Sequence, residues 1–335
     1  MERDASVVPD RGQYPDAVTP WEQDEWREAA LGWAERRLAA HGLRETGRRT
    51  VRLRPWSVLV RMPVEEHEAV WFKANPPGSA FEAGLAEALA GWVPEHVLKP
   101  LAVDTDRGWS LLPDGGPLFR DVLNGGSGGP GAWEELLRQY AEMQRALRPY
   151  SEKIELLGVP NARPAVLPEI FDSVVDSNTE LGPTGREALR ASRPRLVDWC
   201  AELADIGIAD TLDHSDLHDG QLFAPAPGRF TFFDWGDAAV SHPFCSLLVP
   251  ALAARDRYGS EVLPRLRDAY LEPWTGPGHT TAELRRAATL AWRLGAIGRA
   301  CAWGRLFPGT SDGGVAPGDA ESARWLVELF ADPPL

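Results

Sequence analysis

The alternation of hydrophobic and polar positions divides the chain into two parts with different secondary structure. Between residues 50 and 74, and again from about 97 to 112, short runs of β-branched, aliphatic and aromatic residues are separated by turn-forming residues, which predicts strands. An amphipathic run between these two regions predicts a helix. After about residue 133, apolar residues recur mainly at helical spacing. The pattern therefore predicts an α+β fold with a small β-rich lobe followed by a larger, mainly helical lobe.

The first predicted helix runs from Trp21 to Leu43, and Gly42 can end it. One face of this helix is predicted to carry Trp26, Ala30, Trp33 and Arg37. Residues 1–20 are polar, contain proline and show no period, which predicts a flexible tail. The predicted organisation is thus a tail (1–20), an N-terminal lobe (21–113) and a C-terminal lobe (114–335).

The C-terminal lobe is predicted to be helical apart from one hairpin-like span. Its helices are predicted at 133–147, in pieces between 167 and 206, and at 259–272, 281–305 and 318–331. Thr280 and Glu283 have the spacing of a capping box at the start of the longest one. The glycine-rich stretch before residue 133 contains a formal G-x-G-x-x-G at 126–131, but its composition is that of a flexible linker.

Composition narrows the class of protein. The chain has 335 residues, 44% of them hydrophobic, which is typical of a globular enzyme. Its net charge of −14 argues against a nucleic-acid partner, because phosphate binding needs a basic surface. The most apolar long segment, about 290–303, is interrupted by Arg293 and Arg299, so no membrane contact is expected. Three widely spaced cysteines are typical of reduced core residues, and we expect a cytoplasmic protein.

The candidate chemistry is concentrated within the predicted hairpin. The sequence reads HSDLHDGQ over 214–221 and FFDWGD over 232–237. Asp216 and Asp234 each follow an apolar run, and Gln221 lies five residues after Asp216. Phosphoryl transfer from a nucleotide uses such a set, with one carboxylate for the attacking hydroxyl and an amide and a second carboxylate for Mg²⁺. The alternative is an Asp- and His-rich turn without catalytic chemistry.

These motifs resemble the H-x-D-x-x-x-x-N and D-F-G loops of protein kinases, and more closely the H-G-D-L-H-x-x-N and D-W-x-D-A loops of aminoglycoside phosphotransferase-like enzymes. The resemblance implies a bilobal, protein-kinase-like fold with nucleotide bound in the N-terminal lobe. It also implies Asp216 as catalytic base and Gln221 and Asp234 as Mg²⁺ ligands. Two positions depart from the family pattern. Ser215 replaces the usual glycine, and Gln221 replaces an asparagine.

The same resemblance points to a lysine on a strand and a glutamate on the following helix. Lys73 lies in the β-prone run AVWFKA, and it is one of only three lysines in the chain. Glu82 is implied as the carboxylate that fixes the Lys73 ammonium. Two alternatives remain open here. Glu82 could instead form a capping box with Ser79, and Glu87 could instead be the partner of Lys73.

The remaining nucleotide contacts are predicted on the strands of the N-terminal lobe. No G-x-x-x-x-G-K-[ST] motif occurs in the sequence, so a Walker-type phosphate loop is excluded. The turn before Ser57 is the predicted phosphate-covering loop, with backbone N–H groups and the Ser57 hydroxyl as donors. The base is expected to lie against the strand around Leu112, whose backbone would read its edge since Pro113 has no N–H.

The acceptor is predicted to be a small molecule with a hydroxyl group. A protein kinase would need an activation segment after the metal loop, whereas here Asp237 is followed directly by an apolar stretch. The donor is expected to be ATP, or possibly GTP, with Mg²⁺. The lysine-poor, Arg- and Ala-rich composition suggests a GC-rich genome, and an antibiotic or other secondary metabolite is the first expected acceptor. A primary metabolite such as a sugar, an amino alcohol or a homoserine-like compound is second, and a catalytically inactive pseudokinase is the third alternative.

Overall fold

The chain forms two compact units in a computed structural model that describes residues 8–276, 278–308 and 317–335. Unit 1 comprises the described residues up to Gly115 together with 305–308, and unit 2 comprises Gly116–Gly304 and Pro317–Leu335. The return of 305–308 to unit 1 differs from the predicted single C-terminal lobe. Phe307 is buried in the core of unit 1, and its N–H donates to the Pro55 carbonyl at 2.7 Å.

Unit 1 is built on a five-stranded antiparallel sheet. Its helices and strands are α1 (Asp24–Ala40), β1 (Thr50–Arg54), β2 (Ser57–Val64), β3 (His67–Ala74), α2 (Phe81–Trp92), β4 (Ala102–Asp104) and β5 (Trp109–Pro113). The strand order in the sheet is β1-β2-β3-β5-β4. The predicted strands of the N-terminal lobe are confirmed, as is the helix between them.

Helix α1 covers the apolar side of this sheet. The buried residues of α1 are Ala30, Trp33, Ala34 and Leu38. The rings of Trp26 and Trp33 make edge-on contacts with Phe72 and Trp109, which are worth more than their buried area alone. Arg37 lies on the same face, as predicted, with its guanidinium over the Trp33 ring at 5.8 Å and its side chain exposed to solvent.

The end of α1 was predicted correctly. Gly42 has φ +72°, a conformation that glycine adopts without steric cost, and the Leu43 N–H donates to the Leu38 carbonyl at 3.0 Å. This hydrogen bond satisfies one of the carbonyl groups that a helix leaves unpaired at its C-terminus. The chain then turns back toward β1.

The segment that precedes α1 pairs with the sheet at Asp10. The Asp10 N–H donates to the Val51 carbonyl, and the Asp10 carbonyl accepts from the Leu53 N–H, so this segment pairs with edge strand β1. Ala17 and Thr19 are buried. The predicted flexible tail is therefore wrong for 8–20, because backbone pairing with an exposed strand edge does not require an apolar pattern. Residues 1–7 lie outside the described residues.

Unit 2 is mainly helical, with two small antiparallel strand pairs. Its helices and strands are α3 (Phe119–Asn124), α4 (Pro130–Leu147), α5 (Ser151–Leu156), α6 (Leu167–Ser177), α7 (Pro183–Asp205), β6 (Thr211–Asp213), β7 (Leu222–Ala226), β8 (Arg229–Phe232), β9 (Ala239–Ser241), α8 (Leu248–Tyr258), α9 (Leu263–Leu271), α10 (Thr281–Ala302) and α11 (Pro317–Glu328). Strand β6 pairs with β9, and β7 pairs with β8.

Two predicted features of unit 2 are confirmed. Thr280 and Glu283 form the capping box of α10, with the Glu283 N–H donating to Thr280 Oγ1 at 3.2 Å. The glycine-rich stretch joins α3 to α4 and does not follow a strand, so it lacks the setting of a dinucleotide-binding turn. Among the helices in the described parts of the chain, none combines the length and apolar character needed to cross a membrane.

Candidate active site

A buried ion pair joins β3 to α2 in unit 1. The Lys73 ammonium donates to both carboxylate oxygens of Glu82 at 2.7 Å, and the two residues are 6% and 5% exposed. Asn75 Nδ2 also donates to Glu82 and to the Ser79 carbonyl. Sequence reasoning missed Asn75, which has a polar side chain beside a predicted strand and no motif of its own. Asn75 directly follows β3 and Ser79 lies just before α2, so these hydrogen bonds add a second link between the two elements.

The geometry decides which carboxylate pairs with Lys73. Glu82 is buried in the first turn of α2, and both of its carboxylate oxygens accept from the Lys73 ammonium. The Glu87 side chain is exposed. The structure therefore pairs Lys73 with Glu82, although the role of this pair in nucleotide binding stays a prediction. Burying both charges costs desolvation energy, so the pair is poor evidence for a stabilising device and better evidence for a site.

Ser57 opens β2 after a two-residue turn. It pairs with Arg54 across the hairpin and is 4% exposed. Because Pro55 has no N–H, the backbone donors of the turn come from Trp56 and Ser57. The turn is held from outside the sheet, since the Tyr14 ring lies edge-on to Trp56 at 5.0 Å and Phe307 donates to Pro55. The predicted contact between Ser57 and phosphate stays a prediction.

Leu112 lies on β5 opposite Trp71 of β3, two residues from Lys73 along that strand. The Trp71 indole N–H donates to the Asp114 carboxylate at 3.0 Å, which ties the chain leaving β5 back to β3. Pro113 is the last residue of β5. The sheet thus places Leu112 and Lys73 on neighbouring strands, and the proposed contact of the Leu112 backbone with a base stays a prediction.

The candidate catalytic loop of unit 2 runs from β6 to β7 and is supported by a buried carboxylate. Asp213 Oδ1 accepts from the Ser215 N–H at 2.8 Å and from Ser246 Oγ at 2.5 Å, and Asp213 Oδ2 accepts from Ser215 Oγ at 3.0 Å. Burial raises the pKa of the Asp213 carboxyl, and these three donors oppose that rise. Sequence reasoning missed Asp213, which lies immediately before the motif over 214–221.

This network gives a physical reason for the serine at position 215. Ser215 has φ +62°, in the left-handed region that favours glycine. A serine side chain costs conformational energy in this region, but its hydroxyl supplies a hydrogen bond to Asp213 that glycine could not make. The departure from the family pattern at this position is therefore matched by a partner within the loop.

His214 connects the catalytic loop to the loop that carries Asp234. Its side chain is buried, and its Nε2 lies 2.8 Å from the Phe233 carbonyl. The backbone N–H of His214 donates to the Tyr140 hydroxyl at 3.0 Å. The ring lies 4.7 Å from that of Trp235. His214 therefore has a packing and hydrogen-bonding role in the structure.

The Asp216 side chain is partly buried, and each of its carboxylate oxygens has a hydrogen-bonding or ionic neighbour. Oδ1 lies 3.0 Å from Arg299 Nη2, and Oδ2 accepts from Gln221 Nε2 at 3.3 Å. Burial raises the pKa of Asp216, while the positive charge of Arg299 opposes the rise. His218 Nε2 lies 3.7 Å from Oδ2, and burial lowers the pKa of His218, which favours its neutral form at pH 7. Asp216 thus has the setting of a proton acceptor.

Gln221 and Asp234 lie on adjacent loops that are joined by a backbone hydrogen bond. The Phe233 N–H donates to the Gln221 carbonyl at 3.3 Å. Asp234 has φ +65°, in the left-handed region of the backbone map. Aspartate adopts this conformation more readily than most residues other than glycine. An amide oxygen and a carboxylate suit Mg²⁺, which takes one or two protein carboxylates and completes its shell with water and phosphate. Within the described residues, no cluster of three or more His, Cys, Asp or Glu side chains could hold a metal by itself.

Arg299 and Asp237 are the main residues of this site that sequence reasoning missed. Arg299 lies near the end of α10, is 6% exposed, and donates through Nη1 to Asp237 Oδ2 at 2.6 Å while Nη2 faces Asp216. In the sequence, Arg299 only interrupted an apolar run. A single charge on the Ala- and Gly-rich face of a long helix was the available signal, but it did not identify a partner.

Comparisons with known proteins agree on the fold. No protein-family model matches the sequence, and the curated proteins give no match either. Among solved structures, the chain resembles a Plasmodium vivax ethanolamine kinase with TM-score 0.62 and 11% identity, covering 92% of this chain and 89% of the other. It resembles a macrolide 2'-phosphotransferase from Brachybacterium faecium with TM-score 0.55 and 20% identity, covering 89% and 98%. It resembles a GDP and kanamycin complex of an APH(2″) enzyme with TM-score 0.54 and 15% identity, also covering 89% and 98%.

At these identities the likeness establishes the fold. The chain therefore has an aminoglycoside phosphotransferase-like, protein-kinase-like fold, as predicted, with the five-stranded sheet in unit 1 and most of the helices in unit 2. The structural neighbours include small-molecule kinases that act on antibiotics and on an amino alcohol.

Proposed function

We propose that this protein is a small-molecule kinase that transfers the γ-phosphoryl group of a nucleoside triphosphate to a hydroxyl group. The observation that carries the proposal is the carboxylate of Asp216 on the loop after β6, whose two oxygens contact Arg299 and Gln221. A surface turn would leave such a carboxylate solvated. Phosphoryl transfer instead requires a carboxylate held in place, since its catalysis is mostly positioning and charge stabilisation.

In this proposal unit 1 binds the nucleotide. Lys73 contacts the phosphates, and Glu82 with Asn75 fixes the ammonium group. Ser57 and the turn before it cover the phosphates, and the backbone at Leu112 reads the base. The donor is ATP or GTP. GDP complexes of structural neighbours make both purines worth testing.

Unit 2 carries out the transfer. The acceptor oxygen forms a bond to the γ-phosphorus while the bond from that phosphorus to the bridging oxygen breaks, and its electron pair leaves with the nucleoside diphosphate. Asp216 takes the proton of the acceptor hydroxyl late in this step. Gln221 and Asp234 would hold Mg²⁺, which supplies neutralisation of phosphate charge when bound.

The proposed acceptor is a hydroxyl of an antibiotic or other secondary metabolite. The resemblance to macrolide and aminoglycoside phosphotransferases supports this class. The resemblance to an ethanolamine kinase favours a second candidate, an amino alcohol or related primary metabolite. The pseudokinase alternative has less support, because the serine at position 215 has a structural partner in Asp213.

Thermal unfolding with nucleotides tests the first step of this proposal. ATP, GTP, ADP and GDP are each added with and without Mg²⁺, and a ligand at about a hundred times its Kd stabilises the fold by about 2.7 kcal/mol. We expect a shift that depends on Mg²⁺, and its preference for one base identifies the donor. A Lys73→Met variant is the control, since it should lose the shift. The absence of a shift with every nucleotide in the wild type would contradict the proposal.

A further inference from the structure

Helix α10 brings a buried guanidinium group to the candidate catalytic loop. Arg299 Nη2 lies 3.0 Å from Asp216 Oδ1, and Nη1 donates to Asp237 Oδ2 at 2.6 Å. One planar cation therefore spans two carboxylates that belong to different loops. The five N–H groups of an arginine have a fixed fork geometry, which transmits orientation in a way that a lysine ammonium does not.

The fold around Arg299 is arranged for close approach of α10. A Cβ atom at Gly295 would lie 3.1 Å from the Cys245 carbonyl, which is closer than an ordinary van der Waals contact. Glycine at position 295 thus lets α10 pack closely against the backbone at Cys245. Trp325 of α11 lies 5.5 Å from the guanidinium, in position for a cation–π contact.

Stability alone does not explain this arrangement. Burying a guanidinium beside two carboxylates costs desolvation energy, and replacing such groups with apolar residues is often neutral or stabilising. Arg299 Nε is also buried with no hydrogen-bond partner among the described residues, which adds a further cost. Because the Arg299 guanidinium is buried despite these costs, its contact with Asp216 is the best explanation for its position.

We propose that Arg299 is a positioning residue for Asp216. Its Nη2 group fixes Oδ1 while Gln221 fixes Oδ2, so the plane of the carboxylate is set from two different elements. Each oxygen keeps a lone pair for the acceptor hydroxyl. Asp237 anchors the other arm of the guanidinium fork. This inference rests on the proposed kinase function, in which Asp216 receives the proton of the hydroxyl.

The test measures the intrinsic reaction, in which water is the acceptor and inorganic phosphate is released from Mg·ATP or Mg·GTP. The full-length wild type is compared with Arg299→Met and Arg299→Lys. Arg286→Met is the matched control, because Arg286 lies on the same helix in an exposed pair with Glu202. For Arg299→Met we expect kcat to fall about a hundredfold, the scale of a small displacement of a catalytic group, with nucleotide affinity unchanged. Arg299→Lys should recover part of the loss, and Arg286→Met should match the wild type.

A second variant keeps the inference testable if Arg299→Met does not fold. Asp237→Asn leaves Arg299 in place but weakens one arm of the fork, so it should lower kcat by a smaller factor without changing the KM for nucleotide. In the double variant Arg299→Met/Asp237→Asn, the two losses should not add, because both act through one guanidinium.

The outcomes separate this inference from the proposed function. A wild type that neither binds nor hydrolyses nucleotide would overturn both. A wild type that turns over, with Arg299→Met equally active, would overturn the positioning role and leave the kinase proposal intact. If Arg299→Met does not fold, an Asp237→Asn variant that retains wild-type kcat would overturn it as well. The positioning role would also be overturned if Arg299→Met raised KM and lowered kcat by similar factors and Arg299→Lys recovered neither. Such a result would indicate a general disturbance of the fold.

Discussion

The chain contains two buried ionic groups of contrasting construction, one in each unit. In unit 1, Lys73 and Glu82 form a pair of one cation and one carboxylate from neighbouring elements of the sequence. In unit 2, Arg299 is shared between Asp216 and Asp237, and the cation comes from a helix far along the chain. The first group is neutral overall and the second carries an excess negative charge. The difference matches the roles proposed for the two groups, in which Lys73 holds phosphate and Asp216 receives a proton.

The largest effect is expected from removing the reactive carboxylate. Asp216→Asn keeps the shape of the side chain but cannot accept a proton, so the rate of phosphoryl transfer should fall about 10²–10⁴-fold. Nucleotide binding should stay close to wild type, because Lys73 and Asp234 are unchanged. Steady-state kinetics and calorimetric titration measure the two properties separately. Loss of nucleotide binding together with turnover would contradict the role assigned to Asp216.

The next largest effect concerns the stability of the pair in unit 1. Lys73→Met leaves the Glu82 carboxylate buried without the cation that pairs with it, which should destabilise the fold by about 3–5 kcal/mol. Changing both partners, in Lys73→Met/Glu82→Gln, should recover part of this stability but not nucleotide binding. Chemical denaturation and thermal shift with nucleotide give the two readouts. If the double variant also regains nucleotide binding, the pair does not hold phosphate.

The buried, neutral imidazole of His242 in unit 2 should make the free energy of unfolding depend on pH. Burial lowers the pKa of His242 to about 3, so the folded protein leaves this ring neutral where the unfolded chain protonates it. Stability should therefore fall as the pH drops below about 6.5, by about 1.4 kcal/mol per pH unit until it approaches the folded pKa. His242→Asn is the comparison, because asparagine can also accept from the Phe244 N–H. If the two proteins lose stability in parallel between pH 6.5 and 4.5, His242 is not the cause.

The smallest effect tests the serine of the catalytic loop. Ser215→Gly gains conformational freedom at φ +62° but loses the hydrogen bond to Asp213, so the two changes should nearly cancel. Ser215→Ala loses the hydrogen bond and keeps the backbone cost, and should be less stable than Ser215→Gly by about 1 kcal/mol. Urea denaturation of the two variants measures this difference. Equal stability would mean that the backbone cost of a side chain at this position is negligible.

The ionic pair of unit 1 could be predicted from the sequence, whereas the contacts of Arg299 in unit 2 could not. Lys73 and Glu82 lie within one strand and one helix start, so local pattern and motif spacing were enough to propose them. The choice between Glu82 and Glu87 as the partner of Lys73 needed the structure, because both lie on the same predicted helix and only packing separates them.

Features that depend on tertiary packing could not be found in the same way. The partners of Arg299 lie on loops remote in sequence, and an arginine on an apolar helix gives no sign of which carboxylate it meets. The pairing of residues near Asp10 with β1 uses backbone groups, which every residue carries and no pattern marks. The contact of Phe307 with Pro55 is similar, since it brings a late segment of the chain into unit 1.

The most direct test of the account is transfer of a labelled γ-phosphoryl group. ATP and GTP labelled at the γ-position are incubated with Mg²⁺, the wild type or Asp216→Asn, and a panel that contains macrolides, aminoglycosides and ethanolamine, and the acceptors are analysed for label. We predict a labelled phosphate ester with the wild type on at least one acceptor and about 10²–10⁴-fold less with Asp216→Asn. Equal labelling by the two proteins, or turnover to inorganic phosphate that is unaffected by the substitution, would contradict the account.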